Sequence, residues 1–295
     1  MEPTVFAQQL INGISLGSLY GLIAIGYTMV YGILRLINFA HGDVMMMGCF
    51  FAFYGIMMFS LPWWASFIIA LVLTGLLGVL IDRGAYRPVR NAPRISALIT
   101  AIGVSFLLEN AGLVVFGGRQ KAFYRPEIFS EIHTVGGVRF LELLIWVPII
   151  TLLILAIILF IIYKTKVGRA MRCISHDMET TRLMGVDVNR VIAITFAIGS
   201  VAAAAGGIMW AMRYPQINPL MGIIPGLKAF VAAVLGGIGN VAGAMIGGLL
   251  LGLAEILLVA FRPDLSGYRD AIAFGILILI LIFRPTGLMG EKLPE

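Results

Sequence analysis

Charged residues and cysteines are scarce in this chain. Only 12% of its 295 residues are charged and 60% are hydrophobic, whereas a soluble domain has about 25% charged and 45–50% apolar residues. This composition excludes a soluble protein and indicates an integral membrane protein. Cys49 lies in an apolar run and Cys173 in a polar segment, and these two cysteines provide no disulfide framework.

Catalytic and metal-binding motifs are also missing. The sequence contains no Gly-x-x-x-x-Gly-Lys-Ser/Thr motif, so it has no P-loop to hold ATP phosphates. His41, His133 and His176 lack the spacing of metal ligands, and no nucleophile elbow occurs. We therefore predict that the chain is not an enzyme and binds no metal or cofactor of its own.

Long apolar runs dominate what remains. Runs of about 17–25 residues are long enough to cross a bilayer as helices, and about eight occur, at 10–33, 39–59, 63–81, 95–117, 141–163, 189–212, 227–261 and 268–284. The first is preceded by residues 1–9, which carry no Lys or Arg, and it has no cleavage site, so we interpret it as a helix rather than a signal peptide. The predicted fold is all-α: one polytopic membrane domain over residues 1–295, with some helices broken or re-entrant.

The net charge of +6 comes from basic residues in the short connections between these runs. Such residues mark cytosolic loops. The basic residues therefore indicate how the protein is oriented in the lipid bilayer, and they do not indicate nucleic-acid binding. Arg35, the loop that contains Arg83, Arg87, Arg90 and Arg94, and residues 164–190 are placed on the cytosolic side. The N-terminus is then external.

Residues 164–190, the coupling segment, form the largest polar stretch. Glu179-Thr180-Thr181-x-x-x-Gly185 is similar to the coupling loop of ABC importer permeases, which have Glu-Ala-Ala and a Gly at this spacing. The predicted coupling residues are Arg169, Arg172, Glu179, Thr180, Thr181 and Gly185. A helical face with Met171, Ile174 and Met178 is expected to insert into a groove on a partner or, alternatively, to lie on the membrane surface.

Two interruptions of apolar runs are candidates for the transport path, because a broken helix at membrane depth is tolerated where it lines a cavity. The first interruption supplies Asn38, His41, Gly42 and Asp43, and the second supplies Gly236, Gly237, Gly239 and Asn240. A short extramembrane turn at 38–43 is the alternative for the first.

Glu109 and Glu255 are carboxylates inside apolar runs, where an ionisable group is costly. They either line the path or stabilise a pair of helices, and we expect the second role. Glycines four residues apart, at 13, 17 and 21 and at 239, 243 and 247, predict faces where helices pack closely.

The stretch from Ile11 to Asp43 resembles the N-terminal hallmark of LivH-type permeases of branched-chain amino acid ABC importers. Further blocks agree with the same family: Val167 to Arg172, Glu179 to Gly185, Lys228 to Asn240 and Arg284 to Leu288. The resemblance implies a multi-pass permease of the bacterial inner membrane. Its implied partners are a second homologous permease, two cytosolic ATPase subunits that use the ATP, and a periplasmic substrate-binding protein.

The resemblance leaves the substrate open, since permeases of this family also carry urea and short amides. An ion-driven carrier that uses Glu109 and Glu255, or a membrane enzyme, is the interpretation from another class. The large basic coupling segment argues against a carrier, and the missing catalytic motifs argue against an enzyme.

Overall fold

A computed structural model describes residues 3–290 of the chain, apart from the side chain of Arg94. The ends of the predicted domain, residues 1, 2 and 291–295, lie outside the described residues. The helices are α1 Pro3–Leu34, α2 His41–Met57, α3 Trp63–Ile81, α4 Arg87–Val89, α5 Arg94–Phe116, α6 Leu143–Lys164, α7 Lys166–His176, α8 Met178–Leu183, α9 Val188–Arg213, α10 Ile223–Gly236, α11 Val241–Phe261 and α12 Arg269–Phe283.

Short elements lie between the helices. A π-helical turn at Asp82–Tyr86 joins α3 to α4, and 3₁₀ turns occur at Glu127–Phe129 and Pro263–Tyr268. Strand β1, Lys121–Ala122, pairs antiparallel with β4, Gln216–Ile217. Strands β2, Ile132–Val135, and β3, Val138–Leu141, form a hairpin.

The all-α polytopic fold is confirmed, with a difference in the span count. Between residues 3 and 290, seven helices are long and apolar enough to cross a membrane: α1, α3 with its extension through α4, α5, α6, α9, α11 and the helical stretch that ends with α12. The run at 39–59 contains α2, which is only 17 residues long. The run at 227–261 splits into α10, of 14 residues, and α11. The predicted broken helices are therefore present.

Helix α1 lies at the centre of the fold and is buried from Ser15 to Val30. The glycines at 13, 17 and 21 face α11: a Cβ on Gly17 would come within 2.7 Å of Leu249 Cα. The predicted packing face on α1 is thus present. Gly243 and Gly247 instead face α10, and Gly239 lies outside the helices with φ +101°.

Candidate functional site

Helix α2 begins deep inside the membrane domain. Nε2 of His41, its first residue, lies 3.2 Å from the carbonyl oxygen of Ile23 in α1. Since Ile23 precedes the end of α1 by three turns, the start of α2 is about 16 Å along the axis from that end, at 1.5 Å per residue. Residues 35–40 therefore return into the protein, and Asn38, His41 and Asp43 are buried, which argues against an exposed turn at 38–43.

Helix α10 begins at the same depth and runs the opposite way. A Cβ on Gly42 would overlap the carbonyl oxygen of Gly222, and a Cβ on Gly222 would overlap that of Gly42. A Cβ on Gly226 would lie 2.9 Å from Gly42 Cα. Glycine is required here because two backbones meet directly. The N-termini of two short helices therefore converge inside the domain.

A cavity of about 110 Å³ lies at this convergence. Its polar groups come from Tyr27, Asp43, Ser105 and Glu109, and the remaining walls come from Phe39, Gly42, Gly222, Ile223, Gly226 and Leu227. We call it the crossing cavity. Asp43 is 2% exposed, and its carboxylate accepts a hydrogen bond from the hydroxyl of Ser105. Of the predicted path residues, Gly42 and Asp43 line the cavity, and so does the carboxylate of Glu109.

Asn38 and His41 hold the first interruption in place. Oδ1 of Asn38 accepts a hydrogen bond of 2.8 Å from the hydroxyl of Tyr86. The ring of His41 is 4.4 Å, centroid to centroid, from that of Tyr27. Both residues are buried, and neither lines the crossing cavity.

The second interruption lies elsewhere, near the C-terminal end of α1, where a Cβ on Gly32 would lie 3.4 Å from Gly239 Cα. Gly237 and Gly239 have φ of +109° and +101°, and Oδ1 of Asn240 accepts from the N–H of Gly243 at 2.9 Å to cap α11. Leu288 and Met289 donate backbone hydrogen bonds to Leu235 and Gly236. The chain's own C-terminal segment thus covers Gly236 and Gly237. Gly239 faces a second cavity, of about 90 Å³, beside the coupling segment.

The coupling segment forms two short helices, α7 and α8. Met171 and Ile174 are each 3% exposed and belong to the chain's main core, and Met178 starts the next helix. The expectation that these three side chains insert into a partner or the membrane surface is therefore wrong, because α7 buries its apolar face against its own domain. Arg172 donates to the carbonyl oxygen of Ile162 at 2.7 Å, whereas Arg169 is exposed.

Asp177 caps α8: its Oδ1 accepts from the N–H groups of Glu179 and Thr180 at 2.9 and 3.2 Å. Its pKa lies below the ordinary value, mainly because the Thr180 hydroxyl donates to the carboxylate. Glu179 and Thr180 are exposed, whereas Thr181 is buried and its hydroxyl donates to the carbonyl oxygen of Asp177.

Gly185 is exposed and has φ +82°. Two apolar side chains precede it that the sequence analysis missed: Leu183 is 86% exposed and Met184 is 79% exposed. They form a small apolar patch on the largest polar segment, and exposed apolar groups of this kind mark interaction surfaces.

Glu255 lies in the kind of pair that was expected for it. Its carboxylate is 2.9 Å from Nζ of Lys228 and 3.0 Å from the hydroxyl of Tyr20. Lys228 also contacts Asp270 at 2.7 Å, so one buried lysine joins α10, α11 and α12. The sequence analysis missed Lys228 because a lysine at the edge of an apolar run has no distinctive spacing. Glu109 has no ion pair within residues 3–290.

A similar buried pair lies near the coupling segment. Arg90 donates to Asp82 at 2.8 Å and to Asn189, at the start of α9, at 2.9 Å.

On the opposite side of the protein, Glu131, His133 and Glu142 bring atoms of the kind that bind metals within 4.8 Å of one another. Contacts within the chain hold these side chains together: His133 lies 3.6 Å from Glu142, and the indole N–H of Trp146 donates a hydrogen bond to Glu142.

A repeated motif marks the two converging helices and was also missed. Ile37-Asn38-x-x-x-Gly42 ends in the first turn of α2, and Ile217-Asn218-x-x-x-Gly222 ends immediately before α10. Each motif follows a long buried helix, α1 or α9, and each ends in a glycine at the crossing. A search for internal similarity would have found the second copy, since paired interrupted segments in two halves of a transporter indicate its binding region.

The family model described as "Branched-chain amino acid transport system / permease component" matches residues 9–281. The chain belongs to this family. It is 44% identical to the high-affinity branched-chain amino acid transport system permease protein BraD of Pseudomonas aeruginosa, with 97% of this chain and 96% of that protein covered. LivH of Escherichia coli strain K12, a protein of the same description, gives the same identity and coverage.

A more distant relative extends the comparison beyond bacteria. The probable branched-chain amino acid transport permease protein LivH of Methanocaldococcus jannaschii is 26% identical, over 91% of this chain and 88% of that protein. The resemblance inferred from the sequence blocks is confirmed, and the chain is the permease component of a transport system.

Proposed function

We propose that this chain is the transmembrane permease subunit of an ATP-driven importer of branched-chain amino acids in a bacterial inner membrane. The observation that carries the proposal is the 44% identity to permeases named for these amino acids, over 97% of the chain. The relatives' names favour these substrates over urea or short amides. The family also argues against an ion-driven carrier.

Transport proceeds by alternating access around the crossing cavity. The cavity lies where α2 and α10 start inside the domain, so a change in the angle of either half-helix would open it to one side. The permease hydrolyses no ATP itself. Two ATPase subunits supply the energy, a second homologous permease completes the membrane part, and a periplasmic binding protein delivers the substrate on the side of β1 and β4.

The ATPase subunits bind the coupling segment at α8. Glu179 and Thr180 present polar groups there, and Leu183 with Met184 presents exposed apolar area next to Gly185. Arg169 is available on the exposed side of α7. Arg172 and Thr181, which bond to the chain's own backbone, hold the segment in shape rather than touch the partner.

Uptake by the complete complex in proteoliposomes tests the transport function. Labelled leucine should enter only with ATP present, and excess isoleucine or valine, but not urea, should compete. Collapse of the proton gradient by an uncoupler should leave uptake unchanged while ATP stays high. Uptake that stops with the uncoupler would favour an ion-driven carrier, and competition by urea alone would favour the amide permease.

Coupling is tested separately by variants of the exposed residues. Glu179→Lys reverses a charge on the partner surface, and Gly185→Trp forces a side chain onto a backbone with φ +82°. Each should lower uptake about tenfold or more, about 1.4 kcal/mol in coupling, while the protein stays in the membrane. Leu183→Asp should weaken binding of the ATPase subunits in a pull-down. Wild-type uptake and ATPase binding in all three would contradict this assignment.

A further inference from the structure

Asp43 is a buried carboxylate without a positive partner. It is 2% exposed, its carboxylate accepts from Ser105, and no Lys, Arg or His nitrogen of the described side chains, residues 3–290 without Arg94, lies within 4.0 Å of it. A charge in this environment is costly unless it is paired. Glu255 is buried to a similar extent but forms an ion pair with Lys228, whereas Asp43 does not. The crossing cavity beside Asp43 is where a cationic group would fit.

Tyr27 supplies an independent observation. It is 6% exposed and lines the same cavity, yet its hydroxyl makes no hydrogen bond to any group in the described part of the chain. The hydroxyl is not among the fully enclosed, unpartnered polar atoms of the described residues, so it retains surface on the cavity and can bond to a group held there. A phenolic hydroxyl can donate a hydrogen bond, so it complements an anionic group.

The walls of the cavity present three kinds of surface: apolar, acidic and hydrogen-bond donating. Phe39 and Leu227 are apolar, Asp43 and Glu109 are acidic, and Tyr27 provides a hydroxyl donor. The volume of about 110 Å³ admits several heavy atoms, since one water needs only about 10–15 Å³ of such space. An amino acid with a branched apolar side chain carries one matching group for each surface.

We propose that the crossing cavity holds the amino acid in transit, with its α-ammonium group on Asp43 and its carboxylate on the hydroxyl of Tyr27. This inference rests on the proposed function and assigns the substrate contacts within it. Asp43 selects for the ammonium group, while the walls at Phe39 and Leu227 contact the side chain. Two acidic groups line the cavity, so a carboxylate without an ammonium group is disfavoured there.

Protection of an introduced cysteine measures binding at this place without the binding protein. Ile223→Cys puts a thiol on the cavity wall, in a background of Cys173→Ser that removes the exposed native thiol and leaves the buried Cys49. The permease–ATPase complex is treated with a small thiol reagent, and the rate of labelling is measured. Leucine and isopentylamine, which keep the ammonium group, should slow labelling at least fivefold. 4-Methylpentanoate, which lacks that group, should not.

Two variants separate the two contacts. Asp43→Asn should remove protection by leucine and isopentylamine and lower leucine uptake at least tenfold. Tyr27→Phe should weaken protection by leucine but not by isopentylamine, which has no carboxylate. Asp264→Asn, at an exposed carboxylate outside the cavity, is the matched control and should behave like the wild type. Co-purification of each variant with the ATPase subunits establishes that it is folded.

Three results would overturn the proposal: full protection in Asp43→Asn, equal protection by 4-methylpentanoate, or equal losses for both ligands in Tyr27→Phe. The proposed function fails in a different way. If the wild-type complex takes up no branched-chain amino acid, the transport assignment is wrong. If the wild type transports and Asp43→Asn transports equally well, only the cavity assignment is wrong.

Discussion

The two interruptions of the apolar runs both contain glycine and differ in structure. The first has the single glycine Gly42, whereas the second has Gly236, Gly237 and Gly239, and a helix begins at each, α2 at His41 and α11 at Val241. At the first, two half-helices meet over a cavity lined by acids and an unpaired hydroxyl. At the second, backbone hydrogen bonds from Leu288 and Met289 cover the glycines. A glycine break marks a close approach of backbones, and only the neighbouring side chains tell whether the approach serves transport or packing.

The largest expected effect on uptake is at the crossing of α2 and α10. Gly222→Ala places a Cβ onto the carbonyl oxygen of Gly42, and neither backbone can move aside without shifting a whole helix. We expect leucine uptake to fall about 100-fold, which corresponds to about 2.7 kcal/mol. Gly275→Ala, in α12 where a Cβ meets nothing within 4 Å, is the control. Normal uptake by Gly222→Ala would show that the helices do not cross in this way.

Helix α10 joins the two interruptions, and Lys228 holds it. Lys228→Met leaves the carboxylate of Glu255, 5% exposed, without its ion pair. Breaking one side of a buried pair costs about 3–5 kcal/mol, so the melting temperature of the purified permease should fall strongly. The double variant with Glu255→Gln removes the stranded charge and should recover part of the loss. A double variant no more stable than Lys228→Met would contradict the pairing.

A smaller effect is expected at the second interruption. Gly237 has φ +109° and its Cβ position is occupied by the backbone of Gly290, so Gly237→Leu should lower both uptake and melting temperature while the ATPase subunits stay bound. Left-handed backbone costs an ordinary residue about 1–2 kcal/mol. Unchanged stability with altered apparent affinity for leucine would instead place this interruption on the path.

The sequence predicted the fold class and the family well, because apolar runs and short stretches of family-like sequence can be recognised locally. The depth at which α2 starts was not predictable, since it depends on the contact of His41 with Ile23 in another helix. The burial of Met171 and Ile174 was missed for the same reason. An amphipathic pattern shows that one face of a helix is covered, but it does not show whether a partner, the membrane or the protein's own domain covers it. Asp43 was selected from its position at a break, and Tyr27 has no signal in the sequence.

The smallest effect concerns Glu255 itself. Glu255→Gln retains groups that can bond to Lys228 and Tyr20, and Asp270 remains as a counter-ion at 2.7 Å from Lys228. We therefore expect most ATP-dependent uptake to survive, with or without an uncoupler, in the proteoliposome assay. A Glu255→Gln variant without leucine uptake but with a normal melting temperature would mean that this carboxylate changes charge during transport.

The strand pair β1–β4 gives the outer side of the protein a direct mechanical connection to its interior. Only residues 218–221 separate β4 from Gly222 at the crossing, so the five steps from Ile217 to Gly222 span at most about 17 Å when fully extended. A tether this short has little slack. If the binding protein proposed above docks on this side and displaces β4, it would pull on the start of α10, and its docking would reach the crossing cavity as a movement of the backbone.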